Sequence, residues 1–302
     1  MLELLGMMRP LNGIMALLGV LIGGIIAVGG NISALYSFPL LLALVAVFLI
    51  NGAGNVFNDY ADLDADKVNR PNRPMPSGEV SERTALIFTL ILFAAGNLCA
   101  LMINMLCFTI ALANTFVLVM YSISLQHKVL LGNISIGYLV GSVFLFGGAA
   151  FAEIKVVLIL MVLAMLSTIT REIVKDLEDM EGDRKSFMKK LATKVSTVAA
   201  PIAERFGITT DGVKIKYKER SMVTLAVICL LIAVVMSILP FYYGILKTGY
   251  LAVVILADII FVSCIYSLVA GEGKKKTYAS VSKRLKMAMF VALISFIVGI
   301  FF

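Results

Sequence analysis

Charge is scarce in this sequence. Only 15% of its 302 residues are Asp, Glu, Lys or Arg, where soluble domains carry about 25%. There is one histidine, His127, and the four cysteines (Cys99, Cys107, Cys229 and Cys264) stand far apart in apolar runs. No Cys/His spacing suggests zinc, and the cysteines read as small core residues. The chain is instead 60% hydrophobic, with a mean hydropathy of +0.99. That balance excludes a soluble globular domain, a disordered chain and a secreted disulfide scaffold, and leaves a polytopic membrane protein. The first thirty residues are apolar but lack a basic leader and a clear cleavage site, so they read as a retained first helix.

A helix needs about 20 apolar residues to cross roughly 30 Å of hydrocarbon. Nine segments qualify: 11–29, 38–58, 84–104, 106–125, 134–151, 154–174, 221–240, 244–269 and 285–302. The third and fourth nearly touch at Asn104, which requires a tight turn there. The runs are apolar all round, without the alternation of a membrane barrel, so the expected fold is all-α. With the N-terminus in the cytoplasm, all but Lys155 and Lys247 of the 26 basic residues fall in cytoplasmic connections, as the positive-inside rule demands. The expected topology is therefore nine transmembrane helices, N-terminus inside and C-terminus outside. The net charge of +7 then reads as an orientation signal and an attraction to anionic lipid. It is not a nucleic-acid footprint, since no soluble domain carries it.

Ten of the 19 acids lie in two short clusters. One holds Asp59, Asp62, Asp64 and Asp66; the other holds Glu172, Asp176, Glu178, Asp179, Glu181 and Asp183. Each ends a predicted helix, the second and the sixth. Asn51, Asn55, Asp59, Asp62 and Asp66 follow steps of three and four, as do Glu172, Asp176, Asp179 and Asp183, which places each set on one helical face. Like charges at these spacings destabilise a helix, and a helix C-terminus is the wrong end for anions, so cations must offset them. Adding 117 to Asn55, Asp59, Asp62 and Asp66 gives Glu172, Asp176, Asp179 and Asp183. The chain thus reads as one domain over 1–302, built on a parallel four-helix repeat at about 1–125 and 134–269 that sets the two stripes face to face across a central cavity.

Opposed carboxylate faces suit a divalent cation. Magnesium is typically held by one or two carboxylates together with substrate phosphates. Lys67, Arg70 and Arg73 follow the first stripe, Lys128 stands in an otherwise bare loop, and Arg171, Lys175 and Arg184 flank the second. Such donors would grip a diphosphate and stabilise the charge on its departure. The chemistry implied is ionisation of a phosphorylated substrate at the inner mouth of the bundle.

The residues also resemble a known family. NDYADLDAD, starting at Asn58, is similar to the NDxxDxxxD motif of the UbiA superfamily of intramembrane prenyltransferases, and DLEDMEGD, starting at Asp176, is similar to its second motif. RPLN at Arg9 to Asn12 and the run NRPNRPMPSG support the likeness. The resemblance implies nine helices around a cavity with a cytoplasmic cap. It implies magnesium-dependent transfer of a prenyl group from a prenyl diphosphate to a lipophilic acceptor, with membrane lipid around the protein and no nucleic acid or obligate protein partner. By motif position Asn58, Asp59, Asp62 and Asp66 carry over to one metal-diphosphate half, and Asp176, Asp179 and Asp183 to the other. Asp62, Asp66, Asp176, Asp179 and Asp183 are the expected catalytic set. Asn58, Lys67, Arg70, Arg73, Lys128, Arg171 and Lys175 are the expected diphosphate contacts. The family's YxxxK pattern is altered, since Leu125 follows Tyr121 at the fourth place and the lysine comes at Lys128. The run NRPNRPMPSG and the GN pair at Gly132 are most similar to the archaeal branch that moves a geranylgeranyl group onto geranylgeranylglyceryl phosphate. Prenylation of an aromatic quinone or haem precursor is the alternative within the family.

Asn12, Asn51, Asn55, Tyr121, Tyr138 and Glu172 are candidates to line the cavity, although Asn51 could simply bond a neighbouring helix and the tyrosines could be interface anchors. Asp258 is a lone acid inside the eighth predicted span and a functional candidate on that ground. The soluble insert, 184–220, contains a stretch at 196–219 that reads as a mobile cover. A cation transporter would want its acids near the midplane with access from both sides. A phosphatidyl-type alcohol transferase would continue differently after Asp211-Gly212.

Overall fold

The computed structural model describes the backbone of residues 2–195, 210–271 and 275–302, with side chains except at 12, 127, 129 and 180–218. The described residues are helical, in the order α1 (Leu2–Met7), α2 (Pro10–Ala27), α3 (Phe38–Ala61), α4 (Leu63–Asn69), α5 (Glu82–Ile103), α6 (Met105–Ile123), α7 (Val129–Ala149), α8 (Lys155–Val195), α9 (Thr210–Met236), α10 (Leu239–Tyr242), α11 (Thr248–Ala270) and α12 (Lys275–Phe301). Eight of them (α3, α5–α9, α11 and α12) contain stretches long and apolar enough to cross a membrane. The expected first span is α2, 18 residues from Pro10 to Ala27, with an apolar stretch at Gly13–Ala27. Gly29 and Gly30, at positive φ angles of 67° and 85°, follow its C-terminal end.

Punctuation residues set the helix ends. Pro10 and Pro39 sit in the first turns of α2 and α3, where a missing N–H costs nothing. Ser81 caps α5 by accepting from the Thr84 N–H at 3.1 Å. The tight turn expected at Asn104 is a single residue. Its Oδ1 accepts from Cys107 N at 2.8 Å and its Nδ2 donates to Ala149 O at 2.8 Å, so it caps α6 and ties the turn to α7.

Two apolar clusters hold most of the bundle. One joins α2, α3, α5, α6 and α7 around Val20, Leu40, Val56 and Phe146. The other joins α8, α9, α11 and α12 around Ile173, Leu177, Leu230 and Leu285. Around Val157, Leu160 and Tyr250 a third cluster links them through α2, α7 and α8. Where α2 meets α7 the backbones nearly touch: a Cβ on Gly23 would strike the Phe144 carbonyl, and one on Gly147 would strike the Val20 carbonyl. Outward faces are apolar at helical spacing, as with the exposed Ile255, Ile259, Val262 and Tyr266 of α11. In water such stripes would be a liability; against lipid they are the favourable surface.

All four cysteines are free, and three of them are buried in these helices.

Candidate active site

The first acid stripe is not one uninterrupted helix. α3 ends at Ala61 and α4 begins at Leu63, with Asp62 between them at φ −90° and ψ 6°. The hydrogen-bond ladder survives the break, because Asp62 N donates to Asn58 O at 2.9 Å and Asp66 N to Asp62 O at 2.8 Å. Asp59 and Asp66 therefore stay on one side, both buried. The second stripe lies on a single helix. α8 runs unbroken through position 183, with buried Glu172 and half-buried Asp176 beside the apolar face of Ile169, Ile173 and Leu177.

The cations demanded by the like-charge argument are arginines. Arg73 Nη1 donates to Asp59 Oδ1 at 3.0 Å and to Asp66 Oδ2 at 2.5 Å, bridging the two carboxylates. Arg9 Nη2 donates to Asp59 Oδ1 at 2.5 Å. Glu172 is paired with Arg171, and Lys175 Nζ lies 4.0 Å from its other oxygen. Lys67 instead turns outward to the exposed Asp64 at 3.1 Å. Arg70 and Lys128 are exposed, and Asp179 is exposed on α8. Asp183 and Asn12 have helical backbones but side chains outside the described set, and the expected cover at 196–219 likewise falls outside it, apart from backbone in α9 and the side chain of Glu219.

Residues between the stripes connect them. Gln126, in the turn after α6, donates through Nε2 to Asp62 Oδ1 at 2.8 Å and accepts at Oε1 from Asn58 Nδ2 at 3.2 Å. Seven residues on, Asn133 of α7 donates through Nδ2 to Asp176 Oδ2 at 2.8 Å. Tyr121, at the end of α6, lies within electrostatic reach of Asp62, Glu172 and Asp176 together. One connection, from α6 to α7, thus touches both acid stripes.

Asn51 and Asn55 serve a different purpose. Asn55 Nδ2 donates to Met8 O at 3.0 Å and to Asn51 Oδ1 at 3.2 Å, pinning the N-terminal arm onto α3. The arm positions Arg9, whose backbone at φ 51° and ψ 62° is left-handed, an uncommon conformation for a non-glycine residue. Tyr138 is half-buried farther along α7. Asp258 is remote from the stripes in sequence and bonds Ser237 Oγ at 2.7 Å, near the Tyr250 hydroxyl, which donates to Ser237 O at 2.6 Å.

Spacing had not singled out Arg9, Gln126 or Asn133 for the site. Arg9 has a signal in the RPLN run and Asn133 in the GN pair, whereas Gln126 is a single residue without periodic context.

Every donor in the two stripes is an oxygen, which suits a hard divalent cation. A guanidinium bridges Asp59 and Asp66 at hydrogen-bond distance, so these two carboxylates already share one positive charge. Among the described residues no three acids, histidines or cysteines converge closely enough to hold an ion by themselves. A metal here would take a carboxylate or two from the chain and its other ligands from substrate oxygens and water.

Comparison with known proteins resolves the fold. The UbiA prenyltransferase family matches residues 16–294. The chain belongs to the UbiA prenyltransferase family. It is 41% identical to the digeranylgeranylglyceryl phosphate synthase of Methanosarcina mazei, over 98% of this chain and 97% of that one. Against the enzyme of the same name from Methanococcoides burtonii it is 42% identical, over 98% of each. A solved structure of a digeranylgeranylglyceryl phosphate synthase superposes with a TM-score of 0.79 at 35% identity, covering 99% of this chain and 97% of that one. A UbiA homologue from Archaeoglobus fulgidus bound to GPP and Mg2+ shares the fold, with a TM-score of 0.56 at 16% identity, covering 96% and 99% of the two chains. The UbiA assignment makes this chain a multi-pass membrane prenyltransferase.

Proposed function

We propose that this chain transfers a geranylgeranyl group from geranylgeranyl diphosphate to the free hydroxyl of geranylgeranylglyceryl phosphate, in a magnesium-dependent step of archaeal ether-lipid synthesis. The observation that carries the reading is the α6–α7 connection. Gln126 on Asp62 and Asn133 on Asp176 hold the two acid stripes to opposite ends of one short segment, with Tyr121 in reach of both. The relatives of the same length that carry this activity in their names support the choice of substrates.

Asn58, Asp59, Asp62 and Asp66 on one side, and Asp176, Asp179 and Asp183 on the other, would hold magnesium. When bound, it supplies positive charge to the diphosphate oxygens and makes them a better leaving group. Arg73 and Arg171 can swing their forked donors from carboxylate to phosphate. Lys67, Arg70 and Lys175 adjoin the stripes in sequence, Lys128 follows Gln126, and all four are exposed. Gln126 and Asn133 orient Asp62 and Asp176, each occupying one carboxylate oxygen and leaving the other free. The carbon–oxygen bond of the allylic diphosphate breaks with both electrons going to oxygen. The acceptor hydroxyl then bonds to the allylic carbon and gives up its proton to a base. Preorganised charge at the developing anion is the largest expected contribution.

The acid ends of α3 and α8 face the cytoplasm in this reading, with the C-terminus outside. The twin stripes descend from a four-helix repeat over about 1–125 and 134–269.

The test is transfer by the purified protein of radiolabelled geranylgeranyl diphosphate to geranylgeranylglyceryl phosphate, with and without magnesium. Product is expected only with the metal, and Asp62→Ala is expected to lose transfer while remaining folded. A strict preference for an aromatic acceptor would overturn the ether-lipid assignment.

A further inference from the structure

Outside the acid stripes, α12 carries a half-buried arginine. Arg284 reaches across to α11. Its Nη1 donates to Ser263 O at 3.2 Å and to Ser263 Oγ at 3.1 Å, and its Nη2 donates to Ser267 Oγ at 2.8 Å. The serine protons are already committed to their own helix, Ser263 Oγ to Ile260 O at 2.7 Å and Ser267 Oγ to Ser263 O at 2.9 Å. Only lone pairs remain for the guanidinium, and lone pairs on neutral hydroxyls do not cancel a full charge. Among the described residues no carboxylate pairs with Arg284, and its Nε is buried without a partner.

A cation held in a membrane bundle is costly without a counter-charge. With three N–H groups on the serines and Nε buried, the guanidinium keeps one Nη2 N–H for a further acceptor, and a phosphate oxygen there would also supply the missing counter-charge. The surroundings favour the same ligand. Arg284 is half-buried, at the border between the apolar face of Val281, Leu285 and Ala288 and an exposed strip of Lys276, Ser280, Lys283 and Met287. Lys276 and Lys283 are seven residues apart and so share one side of α12. The described part of α12 has no acid in its first turn. Counting candidate spans from α3, α11 runs in the same direction as α3 and α8. Ser263 and Ser267 therefore lie toward the membrane face at which the acid stripes end.

We propose that the α11–α12 seam at Arg284 binds the phosphate headgroup of an anionic membrane lipid, with Arg284 as its inner ligand and Lys276 and Lys283 at its edge. The lipid's chains lie along the exposed apolar side chains of α11 and Met287. The site uses none of the acid-stripe residues and would seat an anionic lipid in the leaflet from which the acceptor is drawn.

The experiment uses the full chain in neutral detergent. Thermal unfolding and native mass spectrometry are followed while phosphatidylglycerol, phosphatidylcholine or inorganic phosphate is added. Phosphatidylglycerol is expected to raise the midpoint and remain bound, and the other two are not. Arg284→Gln is expected to weaken phosphatidylglycerol binding about tenfold, the effect of losing about one charge-assisted hydrogen bond. The Lys276→Gln/Lys283→Gln pair, which leaves the bundle interior untouched, is expected to weaken it about threefold. Equal binding by wild type and the lysine pair would overturn the proposal even if Arg284→Gln failed to fold. So would equal stabilisation by phosphatidylcholine, which would mean a headgroup-blind surface, or by inorganic phosphate, which would mean a simple anion site. A purely structural Arg284 would alter stability in every lipid alike and leave headgroup selectivity unchanged.

Discussion

Asp59 is buried and faces two guanidinium groups, while Asp66, seven residues on, shares one of them. Carboxylates this close repel unless a cation sits between them, and removing one partner of a buried pair exposes the full cost of the charge left behind. Arg73→Gln is therefore expected to lower stability by about 3 kcal/mol, at the low end for such pairs because Arg9 remains on Asp59. Thermal unfolding in detergent measures this, and added magnesium is expected to recover more of the midpoint in the variant than in wild type. The amides act on orientation. Asn133→Ala leaves Asp176 without its 2.8 Å donor and is expected to reduce kcat about tenfold, the scale of about one charge-assisted hydrogen bond. An unchanged kcat would remove Asn133 from the site.

Among the elements, α2 and α7 depend on the absence of side chains. Gly23 and Gly147 let the two backbones touch, and a Cβ at either meets a carbonyl, which cannot rotate aside. Gly147→Leu is expected to cost about 1–3 kcal/mol or more, read as a lower unfolding midpoint and poorer membrane yield. The break at Asp62 belongs to the same scale. Spacing predicts a continuous face from Asn51 to Asp66, and the ladder indeed continues on both sides of the break. Yet the upper two amides are spent on the N-terminal arm through Met8, so the working stripe is shorter than the periodic one. Periodicity reports which residues share a face, but not which neighbour claims them.

For the whole molecule, the orientation proposed from the basic residues has a direct check. A cysteine placed at Asp64, which is exposed beside α4, is expected to react with a membrane-impermeant maleimide only from the cytoplasmic side. One placed at the exposed Tyr243 is expected to react only from the outside. The reverse pattern would invert the topology and place the acid stripes on the outer face.

Composition and spacing alone determined that this chain is a helical membrane protein with two acid stripes, because the bilayer admits few spanning structures and helical steps of three and four are local. They also placed the one-residue turn at Asn104 and required cations among the acids. Which cations those are, the outward turn of Lys67, and the roles of Arg9, Gln126 and Asn133 were decided only by tertiary structure. Arg9 and Asp59 are fifty residues apart, and Gln126 and Asp62 sixty-four. Contacts across such separations are set by how the helices pack, and no periodicity along the chain records them.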